Sequence, residues 1–288
     1  MIADSLAGKR IAVTGSTGFV GTALIERLLR SVPDCELILL VRDGQRTPAA
    51  KRVQKELLKN DAFDRLRAQH NAPGSPETFD EMTARRITTI AGDVSSDRLG
   101  LSEADQATFA TADTIMHSAA TVSFDSPLDR AVEINLLGPV RIAELCHTLG
   151  ITPHLVAVST CYVAGNRRGN APEELVSEGP FDIGLSWKAE VAAARRLKGD
   201  TEALSRQPDR LAQFRAGARS ELGAAGAPAR AAKTEQLRER WVKDQLVDAG
   251  RARAASVGWP DAYAFTKALG EQALTDSKRD VPVSIVRP

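Results

Sequence analysis

Thr14-Gly15-Ser16-Thr17-Gly18-Phe19-Val20-Gly21 decides how this chain is read. An apolar run, Ile11-Ala12-Val13, leads into it, and an amphipathic stretch, Ala23-Leu24-Ile25-Glu26-Arg27-Leu28-Leu29, leads out. The pattern is strand, tight glycine turn, helix. Gly15 would let the chain leave the strand with positive φ, Gly18 would let backbone approach a pyrophosphate, and Gly21 would let the helix sit close to the sheet. The free N–H groups of the helix N-terminus would then face phosphates. A glycine triplet alone is weak; its setting between strand and helix makes it a dinucleotide loop.

Working outward, 9–15 reads as the first strand and 18–31 as the first helix. Glu36-Leu37-Ile38-Leu39-Leu40-Val41 has the near-continuous apolar character of a strand buried on both faces. It ends at Arg42-Asp43, about 20 residues past the glycines, where a dinucleotide fold reads the ribose. An acid there would accept from the 2′-hydroxyl of NAD; Arg42 would instead pair with the 2′-phosphate of NADP. Both residue types are present, and Arg42 weighs toward NADP. Pro48 to Gln69 reads as a charged helical segment and Ile87 to Ala91 as the third strand. Gly92-Asp93-Val94 follows, where Asp93 would either accept from an adenine amino group or cap a turn. Thr114 to Ser118 reads as the fourth strand, and the small residues Ala119-Ala120-Thr121 would let a cofactor pass over its end. Pro127 to Leu149 is an expected helix, and Leu155 to Val158 a fifth strand ending in Ser159-Thr160. Strands alternating with helices predict a parallel, doubly wound sheet.

Strand signals then vanish for about ninety residues, Arg167 to Val257. Breaks fall at Pro172, Pro180, Gly199, Pro208 and Gly223 to Pro228, and Lys233 to Val247 is the best helix. Residues 188–256 carry fifteen basic against nine acidic side chains. This excess reads first as a solvated helical face and second as a site for an anionic ligand. Ala262 to Ser277 then predicts a helix carrying Tyr263 and Lys267, and Val283 to Val286 a sixth strand. The expected division is 1–166, 167–257 as a helical insertion, and 258–288.

The totals exclude several classes. Net charge is +1 over 288 residues, so no global field selects nucleic acid or an anionic membrane. The three cysteines and four histidines form no metal-ligand spacing, so no metal is expected, and the odd cysteine count fits a reducing, cytoplasmic setting. No apolar run has the roughly 18 residues of a membrane helix, which leaves peripheral membrane contact at most.

Tyr263 and Lys267, four apart on one helix, share a face. An ammonium beside a phenol favours the phenolate, and a tyrosine so tuned exchanges protons with a carbonyl or alcohol near neutral pH. With the dinucleotide loop and a hydroxyl at the end of the fifth strand, the pair gains meaning that it lacks alone.

On these residues the chain resembles the short-chain dehydrogenases/reductases, in their extended branch with a Rossmann-type sheet. The likeness rests on the glycine loop, Gly92-Asp93-Val94, His117 to Val122, Asn135-Leu136-Leu137-Gly138, Val158 to Val163 and Tyr263-Ala264-Phe265-Thr266-Lys267. Within the branch it is most similar to fatty acyl-CoA reductases and thioester-reductase domains, through Leu39 to Arg42, Ser159 to Val163 and Trp259 to Leu269. The resemblance covers the chain except most of 167–257. It implies an NADPH cofactor and an acyl thioester substrate. It makes Tyr263 the acid/base, Lys267 the ribose and tyrosine partner, and Thr160 the residue that hydrogen-bonds the substrate oxygen, with Ser159 as its neighbour. Asn135 is implied as holder of a relay water; its alternative is a helix polar residue bonded to nearby backbone. Cys161 reads as packing, since hydride transfer needs no thiol.

Two departures stand out. About a hundred residues separate Thr160 from Tyr263, where many extended members have a few tens. The chain also stops after its sixth strand, where the extended fold usually continues. The expectation is the front part of a larger reductase, with an exposed sixth strand, weak NADPH binding and self-association into homo-oligomers. The rival expectations are a nucleotide-sugar epimerase or dehydratase, a hydroxysteroid-type dehydrogenase, or a non-catalytic NADP-binding protein.

Overall fold

The structure, a computed structural model, describes residues 2–179, 184–223 and 226–288. Six parallel strands form one sheet in the order β3-β2-β1-β4-β5-β6. They are β1 Arg10–Thr14, β2 Glu36–Val41, β3 Ile87–Ala91, β4 Thr114–His117, β5 His154–Val158 and β6 Val283–Val286. The order reverses at β1, as in doubly wound dinucleotide folds. Pairing is in register from Ile11 with Leu37 on one side and Ile11 with Thr114 on the other.

Both faces of the sheet are buried, and the period of two explains why the strands read as continuous apolar runs. Ala12, Ile38, Leu40, Ile90, Ile115 and Leu155 belong to one core. Ile11, Val13, Leu37, Leu39 and Val41, the alternate positions, belong to the other, with Ile25, Leu28 and Leu29 of α1 (Phe19–Ser31). The β6 end is less covered: Val283 and Ile285 are half-buried, while Ser284 and Val286 are exposed.

The sequence misses a helix, α2 (Phe79–Arg86). Thr78 and Glu81 form a capping box at its start. Its last residue, Arg86, is buried. Arg86 donates to the carbonyls of Cys35, Leu29 and Val32 at 2.9, 2.7 and 2.8 Å, closing the C-terminal end of α1. The charged segment from Pro48 is not one helix. Ala49–Arg52 runs into a π-type turn at Val53–Leu57 and breaks where Asn60 accepts from the Ala62 N–H; Asp64–His70 follows. The helix expected over 127–149 also divides, into Leu128–Ala131, a π-type turn at Val132–Leu136, and α3 (Leu137–Thr148).

The chain forms two compact units. One comprises Met1–Ala120, Ile134–Cys161 and Ala273–Pro288, and holds the sheet. The other comprises Thr121–Glu133 and Tyr162–Gln272. The second contains α4 (Trp187–Ser205), α5 (Pro208–Leu222), α6 (Ala227–Ser256) and the start of α7 (Ala262–Ser277). Gly199 does not break α4, Pro208 opens α5 at its first turn, and Gly223 at φ +53° ends it. Pro180 lies outside the described residues. Arg238 of α6 is buried between Glu235 and, on α4, Glu202 and Ser205, with 2.7 and 2.9 Å contacts to the last two. Those carboxylates hold its guanidinium well above its ordinary pKa. Arg253 pairs with Glu190 at 2.5 Å, and the Arg210 guanidinium lies 4.9 Å over the Trp241 ring. Much of the basic excess therefore fastens helix to helix.

Candidate active site

The glycine turn behaves as its residues dictate. Gly15 has φ +74°, and a Cβ there would lie 2.6 Å from the Ala119 N atom, so only glycine fits. The close approach expected of Gly21 to the sheet is instead to the turn itself: a Cβ would overlap the Gly15 carbonyl oxygen. Gly18 caps α1 without offering a side-chain oxygen, so the first-turn N–H groups remain for an anion. Ser16 is buried, and its hydroxyl has no hydrogen-bond partner among the described residues. That buried hydroxyl beside an uncapped helix end fits a dinucleotide diphosphate. Thr17 is half-buried, Val20 exposed, and the Phe19 ring stands 94% exposed.

Thr14 points elsewhere. Its hydroxyl lies 2.7 Å from Nδ1 of His117 and accepts from the Ala119 N–H at 3.3 Å, tying the end of β1 to the end of β4. Ala119, Ala120 and Thr121 follow β4 and are half-buried.

Past β2, a cleft of about 600 Å³ is lined by Arg42, Asp43, Arg52, Gly92, Asp93 and Ser102, among others. The half-exposed Arg42 guanidinium is 3.6 Å from the Asp93 carboxylate. Asp93 also accepts from the Ser95 N–H and hydroxyl at 2.8 and 2.7 Å, the turn-capping alternative. Asp43 accepts from the Ala49 N–H at 2.8 Å, so its carboxylate is engaged in capping a helix. Sequence reading missed Arg52, which donates to the Arg42 carbonyl at 2.8 Å and pairs with Glu56 at 2.7 Å. Its only sequence signal is a base one turn into the helix after β2. Val94 is buried and packs in the core.

At the end of β5, Ser159 and Thr160 are buried, and the Ser159 hydroxyl has no partner among the described residues. Cys161 next door is exposed. Asn135, 1% exposed, sits in the π-type turn, a form frequent at functional sites. Thr160 and Asn135 belong to the first unit, Tyr263 and Lys267 to the second.

The sequence Trp259-Pro260-Asp261 sets the start of α7. Asp261 accepts from the Ala264 N–H at 2.8 Å, and buried Trp259 donates to the Val163 carbonyl at 3.0 Å. Tyr263 and Lys267 follow on one face. Tyr263 is half-buried, and the Phe124 ring meets it edge-on at 6.1 Å between centroids. Lys267 is buried, and burial pushes its pKa down to about 8, with Glu271 opposing the shift. A buried amine with a lowered pKa, on the same helix face as a phenol, is suited to proton exchange. Among the described residues, no helix is long and apolar enough to cross a membrane.

The comparisons agree with this architecture. The chain is 33% identical to the chloroplastic fatty acyl-CoA reductase 2 of Arabidopsis thaliana, over all of this chain and 42% of that protein. It is 30% identical to the alcohol-forming fatty acyl-CoA reductase of Simmondsia chinensis, over all of this chain and 52% of that one. The chain thus spans about half the length of the curated relatives it matches. Among solved structures, the terminal R domain from the myxalamid PKS-NRPS biosynthetic pathway superposes with a TM-score of 0.57 at 22% identity. That superposition covers 98% of this chain and 49% of that one, and it shows the shared fold. The model of the Male sterility protein family matches residues 13–288. Glycine turn, strand order and family match together place the chain in the Male sterility protein family, an NAD(P)-binding domain of the extended short-chain dehydrogenases/reductases.

Proposed function

We propose that the protein reduces fatty acyl thioesters with NADPH in a cytoplasmic setting. The observation that carries the reading is the buried Lys267 one turn from Tyr263, in a chain alignable end to end with fatty acyl-CoA reductases. The nicotinamide, when bound, supplies a hydride to the thioester carbonyl carbon. Tyr263 donates its phenolic proton to the carbonyl oxygen, and Thr160 donates a hydrogen bond to it as charge develops. Lys267 holds the ribose and stabilises the phenolate left once the proton has been given up, which solvent reprotonates before the next turnover. The resulting hemithioacetal loses its thiol, so that thioester, NADPH and a proton become aldehyde, CoA and NADP. A second reduction would give the alcohol. Asn135 holds a relay water, and residues 14–21 with Ala119, Ala120, Thr121 and Val94 shape the dinucleotide groove.

NADPH is favoured over NADH because Arg42 faces a cleft whose neighbouring acid, Asp43, is engaged with Ala49. The test is cofactor oxidation with palmitoyl-CoA, a nucleotide sugar and a steroid ketone in parallel. Turnover should need palmitoyl-CoA and release one thiol per aldehyde. Turnover with the sugar or steroid alone would overturn the substrate class.

A further inference from the structure

The segment Thr121–Glu133 carries three carboxylates, Asp125, Asp129 and Glu133, spaced four apart. Each pairs with a base from the long helices. Asp125 pairs with Arg251 of α6, Asp129 with Lys198 of α4 at 2.7 Å, and Glu133 with Arg195 of α4 at 2.7 Å. The loop is also tied internally, from Thr121 Oγ1 to Ser126 Oγ at 3.2 Å and from the Ser126 N–H to the Ser123 carbonyl at 3.1 Å. At its tip stands Phe124, 53% exposed, with one edge against the Tyr263 ring at 6.1 Å and an interplanar angle of 76°.

A loop ring used only to fill the core would be covered, and one used for nothing would not be tethered on both sides. The half-exposed ring, held by an ion pair at the adjacent residue, leaves Tyr263 as its polar-tipped neighbour. Edge-to-face geometry fixes a phenol's tilt through its ring rather than through its hydroxyl. We propose that Phe124 is a positioning residue for Tyr263, and that Asp125–Arg251 holds Phe124 in place. The long helical insertion thereby reaches the chemistry through one ring. This rests on the reading that Tyr263 is the proton donor.

The chain has two tyrosines, Tyr162 and Tyr263, so fluorotyrosine labelling gives two fluorine resonances, and Tyr162→Phe assigns them. Phe124→Ala should move the Tyr263 resonance and leave that of Tyr162 in place. Loss of an edge-to-face pair corresponds to about a two- to tenfold effect, so kcat for palmitoyl-CoA should fall by that factor with the KM for NADPH unchanged. Phe124→Tyr, which keeps the ring, should restore kcat; Phe124→Leu should not. Arg251→Gln should shift the Tyr263 resonance in the direction of Phe124→Ala, by less. An unmoved resonance, or unchanged kcat in Phe124→Ala while Tyr263→Phe is inactive, would overturn the positioning role. Full activity in Tyr263→Phe would instead overturn the proton-donor reading on which it rests.

Discussion

At the scale of single residues, Lys267 sets function against stability. Its folded pKa, about 8, lies below its ordinary 10.5. Between those values the unfolded chain holds a proton that the folded chain lacks, so stability rises as pH rises through this window. Below about pH 8 the folded protein carries the buried charge at full cost. Lys267→Met should therefore raise Tm at pH 7 while abolishing turnover, and the gain should shrink as pH approaches 10.5. A lower Tm at pH 7 would show that the charged amine stabilises the fold. Arg42 is the second residue to test. A charge-assisted contact to a 2′-phosphate is worth roughly 1.5–3 kcal/mol, so Arg42→Ala should weaken NADPH binding by about tenfold or more and leave NADH nearly unchanged. Fluorescence titration with both nucleotides measures it, and equal losses for the two would remove Arg42 from the phosphate. The local pattern pointed to Arg42 because a strand end is a fixed address in this fold. It could not show that Asp43 is engaged, since the Ala49 N–H comes into reach only when the chain turns back.

At the scale of elements, legibility follows the range of the contacts. β2, β3, β6 and α7 begin and end where the sequence predicts, because apolar runs bounded by polar or breaking residues are local signals. α2 escapes because only its capping box marks it, in a segment otherwise rich in charge. Gly199 misleads because a glycine inside a helix costs only about 1 kcal/mol against alanine, and the packing of α4 absorbs it. Arg86 is invisible in sequence, one base in a run of two, yet it satisfies three carbonyls drawn from α1 and the turn after it. Arg86→Met should leave those carbonyls buried and unmet. Urea unfolding should show a loss of about 3 kcal/mol or more, and a loss under 1 kcal/mol would mean that water replaces the guanidinium.

At the scale of the whole molecule, neither unit is a continuous stretch of chain. The division falls within α7 and within the π-type turn at Val132–Leu136. A fragment of residues 162–272 would lack the three carboxylates that Arg251, Lys198 and Arg195 meet, and the buried Leu128 and Ala131 between them. Such a fragment should be helical but poorly cooperative on heating, and a synthetic peptide of residues 121–133 should sharpen its transition. A sharp transition without the peptide would show that the segment adds nothing to the helices. The cysteines bear on how such experiments are run. Cys35 and Cys146 are buried, and burial pushes the Cys146 thiol up to about 12, while Cys161 is exposed beside Thr160. An aromatic disulfide dye should therefore colour with one equivalent of native chain and three of denatured chain. Any colorimetric readout of released CoA starts from that single equivalent of background. The same thiol is a built-in attachment point, one residue from the proposed oxyanion donor, where an electrophilic fragment or a fluorescent reporter can be anchored without engineering a cysteine.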